Sequence, residues 1–212
     1  RPWKDKLPTL YDWDFDQDRA TKDFGLSFGD TTSFGRTLEL KSGLRQLVRE
    51  TDCPIEHARV AIYFVKVWGG ITRFSKVEET LCLFAHMKGS TAPPVAYNLP
   101  FKMISSWSKW ASIVCPEWAC IYDVRVAYSL NAINYLAGAK HPIFPMPEGR
   151  NSRLKMLDVS TLLLSERLGH TQPHVDGASE PKTIRKNHFI PEHSTYATYV
   201  SLVSKVSQDL WG

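Results

Sequence analysis

Two residues with the chemistry of a catalytic pair, Lys109 and Asp123, lie near each other in the chain. A lysine amine that has lost its proton can attack an electrophilic carbon and form a covalent intermediate. A carboxylate held close by can stabilise positive charge that develops during the same reaction. The two residue types together are therefore typical of covalent catalysis at a carbon atom that becomes positively charged.

Two predicted helices position this pair. The first helix begins near Ser105 and carries Lys109, and it is followed by a short turn that contains Pro116. Asp123 stands at the N-cap of the second helix, where free backbone N–H groups and the helix dipole favour its charged form. The apolar stripe predicted for the second helix consists of Val126, Leu130, Ile133 and Ala137.

The stretch from about Trp68 to Gly149 resembles the helix-hairpin-helix DNA glycosylases, in particular the 8-oxoguanine DNA glycosylase branch and its shorter bacterial relatives. Lys109, within SWSK, matches the nucleophilic lysine of that family. Asp123, within IYDVRV, matches its catalytic aspartate, and Arg125 fits the residues that usually follow. The resemblance implies a largely helical fold in which the lysine and the aspartate flank the deoxyribose of a flipped nucleotide.

That resemblance implies a DNA glycosylase, with AP lyase activity as an option, that excises an oxidised or modified base. Its partner would be double-stranded DNA carrying the damaged base. The positions of the cysteines and histidines lead us to expect no cofactor and no metal. An extruded base normally stacks on aromatic or apolar side chains. The candidates for this base pocket are Trp68, Trp107 and Tyr122, with Trp118 as a further aromatic residue.

DNA-backbone contacts are predicted at two places in the chain. One place is the lysine helix and the start of the next helix, and the other is a basic helix start near Asn151 or Ser152, where N–H groups attract a phosphate. A solvated helix start is an equal alternative for the second place. The predicted DNA-binding residues are Ser106, Ser108, Arg125, Arg150, Arg153 and Lys155.

Each prediction has an alternative from another class of protein. Asp123 could serve only as a helix cap, and Lys109 could be an ordinary exposed lysine. Ser105, Ser106 and Trp107 stand where the family's hairpin carries Gly-x-Gly, which favours a non-catalytic DNA-binding protein that retains the glycosylase fold. A helical interaction protein without a nucleic-acid partner is the third hypothesis.

Composition is that of a globular protein, with 43% hydrophobic residues and a net charge of +4 that permits binding to nucleic acid. No apolar run is long enough to span a bilayer, and we expect a cytoplasmic monomer. The cysteines suit neither a disulfide scaffold nor an iron–sulfur cluster, so we expect reduced and mostly buried thiols. The histidine pairs lie in a predicted loop, and we expect no metal site.

The remaining pattern predicts an all-α protein, a helix-hairpin-helix glycosylase-like bundle forming one domain over residues 1–212. Residues 1–35 should form a short, irregular and extended segment packed on this domain, because aromatic residues alternate with aspartates and glycines follow. Helices are predicted over residues 37–50, over residues 54–67 and over residues 194–211. A capping box of Ser75 and Glu78 should open another helix.

Overall fold

A computed structural model describes Lys6 and residues 8–91, 99–147, 159–167 and 187–211. Its described residues are mainly helical, which confirms the all-α prediction. They contain no strand beyond one isolated parallel bridge between Ile143 and Phe189. None of the helices in these ranges is both long enough and apolar enough to cross a membrane.

The chain divides into two compact units by its internal contacts. The first unit consists of Arg1–Pro93, Ser106–Cys120 and Val206–Gly212, and the second consists of Pro94–Ser105 and Ile121–Lys205. The described helices, in chain order, are α1 (Gln17–Phe24), α2 (Ser33–Glu50), α3 (Pro54–Ile62), a π-helix (Tyr63–Trp68), α4 (Val77–Phe84), α5 (Ile104–Val114), α6 (Val124–Leu136), α7 (Val159–Arg167) and α8 (Glu192–Trp211).

Helix α1 replaces part of the extended N-terminal segment that the sequence predicted. The Asp16 side chain caps it by accepting a hydrogen bond from the Arg19 backbone N–H, and Gly25 ends it with a left-handed φ of 68°. Aspartate at the N-cap and glycine just past the last turn are common signals of helix ends. The aspartates that looked like one face of a strand therefore include a helix cap.

The core of the first unit forms around α2, α3 and the π-helix. Helix α2 buries Leu40, Leu44 and Val48, which recur at helical spacing. Pro54 opens α3 at its first position, as predicted, and the helix continues directly into the π-helix. The Gly69 N–H donates to the Phe64 carbonyl at 3.0 Å, which is the wider hydrogen-bond register of a π-helix.

The start of α4 differs from the predicted capping box of Ser75 and Glu78. Lys76 is the N-cap, and no side chain caps the helix. The Lys76 carbonyl accepts hydrogen bonds from both the backbone N–H and the hydroxyl of Thr80. The ammonium of Lys76 also pairs with Glu79 at 2.5 Å, so the residue that opens the helix is held by its own first turn.

The core of the second unit lies where α6 packs against α7. Ile143, Val159 and Leu163 form a buried cluster there. The predicted stripe on α6 is wrong, because Ile133 is 62% exposed whereas Ala127 and Asn131 are fully buried.

The cysteine prediction is also only partly right. All four cysteines carry free thiols, but Cys53 and Cys82 are exposed. Cys115 is buried, as predicted, and its burial raises the pKa of the thiol to about 11.

Candidate functional site

Lys109 lies inside the first unit, contrary to the alternative that it is an ordinary exposed helix lysine. It stands in the middle of α5, and only 3% of the residue is exposed. Lysine is almost never fully buried unless its ammonium has a partner or a function. Its burial therefore separates it from lysines such as Lys102 and Lys140, which are exposed.

The stem of Lys109 lies directly over Gly69. A methyl group added at Gly69 would come within 2.8 Å of both Cδ and Cε of Lys109, and within 2.6 Å of the Val65 carbonyl oxygen. Glycine at position 69 therefore leaves the space that the lysine stem fills, since no side-chain atom fits at those distances. The lysine side chain therefore extends from the middle of α5 across the glycine that follows the π-helix.

Residues around Lys109 are packed tightly in the same helix. Trp107 is fully buried, and its ring centroid lies 5.8 Å from that of Phe84. Ser106 and Ser108, which were predicted to bind DNA, are both buried. The hydroxyl of Ser112 donates to the Lys109 carbonyl at 2.8 Å, which supports the backbone one turn beyond the lysine.

Asp123 caps α6, as predicted. Its Oδ1 accepts hydrogen bonds from the backbone N–H groups of Arg125 at 3.0 Å and Val126 at 3.1 Å. The carboxylate is thereby fixed in position and orientation at the positive end of the helix dipole. Lys109 belongs to the first unit and Asp123 to the second.

The three aromatic residues predicted for a base pocket are all largely covered. Trp68 is 9% exposed and stacks on Phe64 with ring centroids 4.4 Å apart. The hydroxyl of fully buried Tyr122 donates to the Pro145 carbonyl at 2.8 Å. In this conformation Trp68, Trp107 and Tyr122 stabilise the cores of their own units.

The predicted DNA-binding residues fall into three groups. Arg125 is exposed on the first turn of α6. Ser106 and Ser108 are enclosed in α5. The basic helix start with Arg150, Arg153 and Lys155 lies outside the described residues.

A basic feature that was not predicted from the sequence lies on α2. Arg45 and Arg49 are one helical turn apart and line a cavity with Glu117. The spacing of the two arginines on a predicted helix was visible in the sequence, because residues at i and i+4 lie on one face. The facing Glu117 was not predictable, since it comes from a turn far along the chain.

Among the residues with a described position, no three histidine, cysteine, aspartate or glutamate side chains gather in a way that could hold a metal ion. No family model, curated protein or solved structure matches this chain.

Proposed function

We propose that this protein is a DNA glycosylase that removes an oxidised or otherwise modified base, with Lys109 and Asp123 as its catalytic residues. The observation that carries the proposal is the burial of Lys109 in the middle of α5, with its stem over Gly69. Lysine is rarely buried to this extent, and this one stands where the resemblance puts the nucleophile.

Burial suits the chemistry that this amine would perform. Attack on a carbon atom requires the neutral form of an amine, because only that form carries a free lone pair, and the enclosed position keeps water from competing as the nucleophile. The Lys109 nitrogen would donate this pair to C1′ of the deoxyribose as the C1′–N bond breaks. The electrons of that bond would leave with the base, which takes up a proton, while the lysine nitrogen loses one. The nitrogen lone pair would then open the sugar ring by breaking the C1′–O4′ bond, and O4′ would take up a proton to become a hydroxyl, which leaves a protonated imine at C1′.

Asp123 suits the second part of the chemistry. Positive charge develops on the sugar as the base departs, and a fixed carboxylate lowers the barrier electrostatically. The two backbone hydrogen bonds to Oδ1 hold the group in place before the reaction, so little reorganisation would be needed.

The test uses duplexes that each carry one modified base, with base release and borohydride trapping as separate measurements. Lys109→Met keeps an unbranched apolar stem over Gly69 but removes the amine, and we expect it to abolish trapping. Asp123→Asn keeps the side-chain oxygen that caps α6 but removes the charge, and we expect base release to fall by at least about 100-fold. Lys140→Met, at an exposed position, is the matched control.

Undiminished base release in both Lys109→Met and Asp123→Asn would refute the proposal. If wild type binds duplex DNA but releases none of the tested bases, and neither substitution alters binding, the non-catalytic DNA-binding alternative replaces it.

A further inference from the structure

A cavity of about 530 Å³ lies in the first unit, between α2 and the turn that follows α5. Its volume falls in the range of sites that hold small organic ligands. Most of the lining groups can donate hydrogen bonds. The lining residues are Ser42, Arg45, Gln46, Arg49, Pro116 and Glu117.

Arg45 is held in place at this cavity by the protein itself. One terminal nitrogen, Nη2, donates to the Ser112 carbonyl at 3.2 Å. This hydrogen bond ties the guanidinium to the backbone near the end of α5. A fixed guanidinium loses less conformational entropy when it binds an anion than a free one does.

Arg49 is exposed one turn further along α2. Within the part of the chain that the structure describes, it makes no hydrogen bond or ion pair. Its charge still acts on its neighbour: burial first, and then the charge of Arg49, lower the pKa of Arg45, while Glu117 acts in the opposite direction. Two guanidinium groups line the same cavity, and an anion between them would offset the repulsion of their like charges.

The charge of the lining identifies the kind of anion. Two arginines and one glutamate give a net charge of +1, which matches the single negative charge of a phosphodiester better than the two charges of a phosphate monoester. Guanidinium groups bind phosphate oxygens in bidentate geometry, and the hydroxyl of Ser42 and the amide of Gln46 add further donors.

We propose that this cavity, which we call the α2 cleft, binds one phosphodiester group of a nucleic-acid backbone with its attached sugar. The choice of a nucleic acid over another anion rests on the proposed glycosylase function. The cleft contributes to affinity for the backbone and takes no part in the chemistry of base removal.

The first experiment measures binding to an undamaged duplex by fluorescence anisotropy at several salt concentrations. Arg49→Gln should weaken binding roughly five- to tenfold at about 0.1 M salt and lower the slope of log K against log salt by about 1. Arg73→Gln, which removes the same charge at an exposed site outside the cleft, is the control and should change affinity less. Equal effects of the two variants would overturn the proposal.

A second pair of variants tests the opposite charge. Glu117→Gln removes the only anion of the lining and should tighten binding by about threefold. Glu78→Gln makes the same change at an exposed position outside the cleft and should have a smaller effect. Unchanged or weaker binding by Glu117→Gln contradicts the proposal. Circular dichroism of all four variants excludes unfolding as a cause.

A third measurement separates the sources of the phosphate group. Inorganic phosphate, titrated alone and followed by NMR shifts of the protein, should bind weakly. If phosphate binds tightly in a manner lost in Arg49→Gln while DNA affinity stays unchanged, the cleft is a site for free phosphate and the nucleic-acid proposal is wrong.

The same measurements in a Lys109→Met background separate this proposal from the proposed function. Persistence of the Arg49→Gln effect there supports the cleft whether or not any base is released. Loss of the effect in that background would show that the cleft acts only through the lysine site, and would overturn it.

Discussion

Asp123 has a structural role at the residue scale that must be separated from its proposed chemical role. Its Oδ1 accepts two backbone hydrogen bonds at the start of α6. Asparagine caps helices about as well as aspartate, whereas alanine cannot cap at all. The two substitutions therefore remove different properties of the same side chain.

We predict that Asp123→Ala lowers the free energy of unfolding by about 1 kcal/mol, while Asp123→Asn changes it by no more than a few tenths. Urea denaturation at neutral pH measures both. If the two variants lose the same stability, the carboxylate charge contributes to folding beyond capping. A loss of activity in Asp123→Asn could then not be assigned to chemistry alone.

Lys41 is a second residue with an unusual amine, and it lies on α2. Burial, and then the nearby charge of Arg45, lower its pKa from 10.5 to about 8, and Cys120 acts in the opposite direction. Between these two pKa values the unfolded chain binds a proton that the folded chain has released. Stability must therefore rise with pH through this window.

We predict that the free energy of unfolding gained from Lys41 between pH 7 and pH 9 is about 1 kcal/mol. Urea denaturation across that range measures it, and Lys41→Met is the control. The difference between the two proteins removes the contribution of the buried Cys115 thiol, which has the opposite effect and titrates in both, and leaves Lys41 together with its interaction with Cys120. Parallel pH profiles of the two proteins would show that Lys41 titrates normally.

At the scale of elements, Asn131 connects α6 to the segment that follows it. Its amide Nδ2 donates to the Phe144 carbonyl, and its Oδ1 accepts from the Phe144 N–H, each at 2.9 Å. Both Asn131 and Phe144 are almost fully buried. Removing the amide would leave a buried donor and a buried acceptor without partners, which is costly.

We predict that Asn131→Ala destabilises the protein by about 3 kcal/mol. Ser129→Ala, at an exposed position on the same helix, should change stability by less than about 0.5 kcal/mol. Thermal unfolding of both variants provides the comparison. A cost for Asn131→Ala no larger than that for Ser129→Ala would mean that the Phe144 backbone finds other partners.

The helices themselves were largely predictable from the sequence. Pro54 and the apolar run behind it predicted α3 and its continuation, and Asp123 predicted the start of α6, because these signals act within one or two turns. Helix α1 was missed even though its cap, Asp16, and its terminator, Gly25, were both present. The alternation of aromatic and acidic residues just before this helix led to the prediction of an extended segment instead.

The buried face of a helix was harder to predict than the helix itself. On α6 a hydrophobic pattern selected Ile133, which is exposed, and passed over Asn131, which is buried. A polar side chain can enter a core when backbone groups from elsewhere satisfy it, and these partners are unknown before folding. The α2 cleft could not be predicted for the same reason, because only the tertiary structure brings Glu117 to the cavity that Arg45 lines.

On the scale of the whole molecule, charge is divided unevenly between the two units. The first unit contains fifteen basic and fifteen acidic residues, so the second carries the entire net charge of +4. A local excess of positive charge speeds the encounter with a polyanion, and salt suppresses this effect. Under the proposed function, the second unit should therefore dominate the long-range attraction of DNA, whereas the proposed phosphodiester contact at the α2 cleft would act only at short range.

We predict that Lys102→Gln/Lys140→Gln, which removes two exposed charges from the second unit, slows association with duplex DNA roughly two- to fivefold at low salt. The difference should disappear at high salt. Lys22→Gln/Arg73→Gln removes the same charge from the exposed surface of the first unit and serves as the control. Stopped-flow fluorescence measures the rates, and equal slowing by both double variants would contradict the prediction.

The π-helix makes the position of Lys109's neighbours sensitive to chain length. Each residue of a helix advances the chain by about 100° around its axis, and a π turn accommodates one residue more than an α turn. Excising a single residue between Tyr63 and Trp68 would let the turn close into ordinary α geometry. The Gly69 N–H and the Phe64 carbonyl would then be four positions apart, which is the spacing of an α-helical hydrogen bond, so Gly69 could stay beneath the lysine stem. Inserting a residue instead would carry Gly69 about 100° around the axis, so the protein should tolerate a one-residue deletion here better than a one-residue insertion.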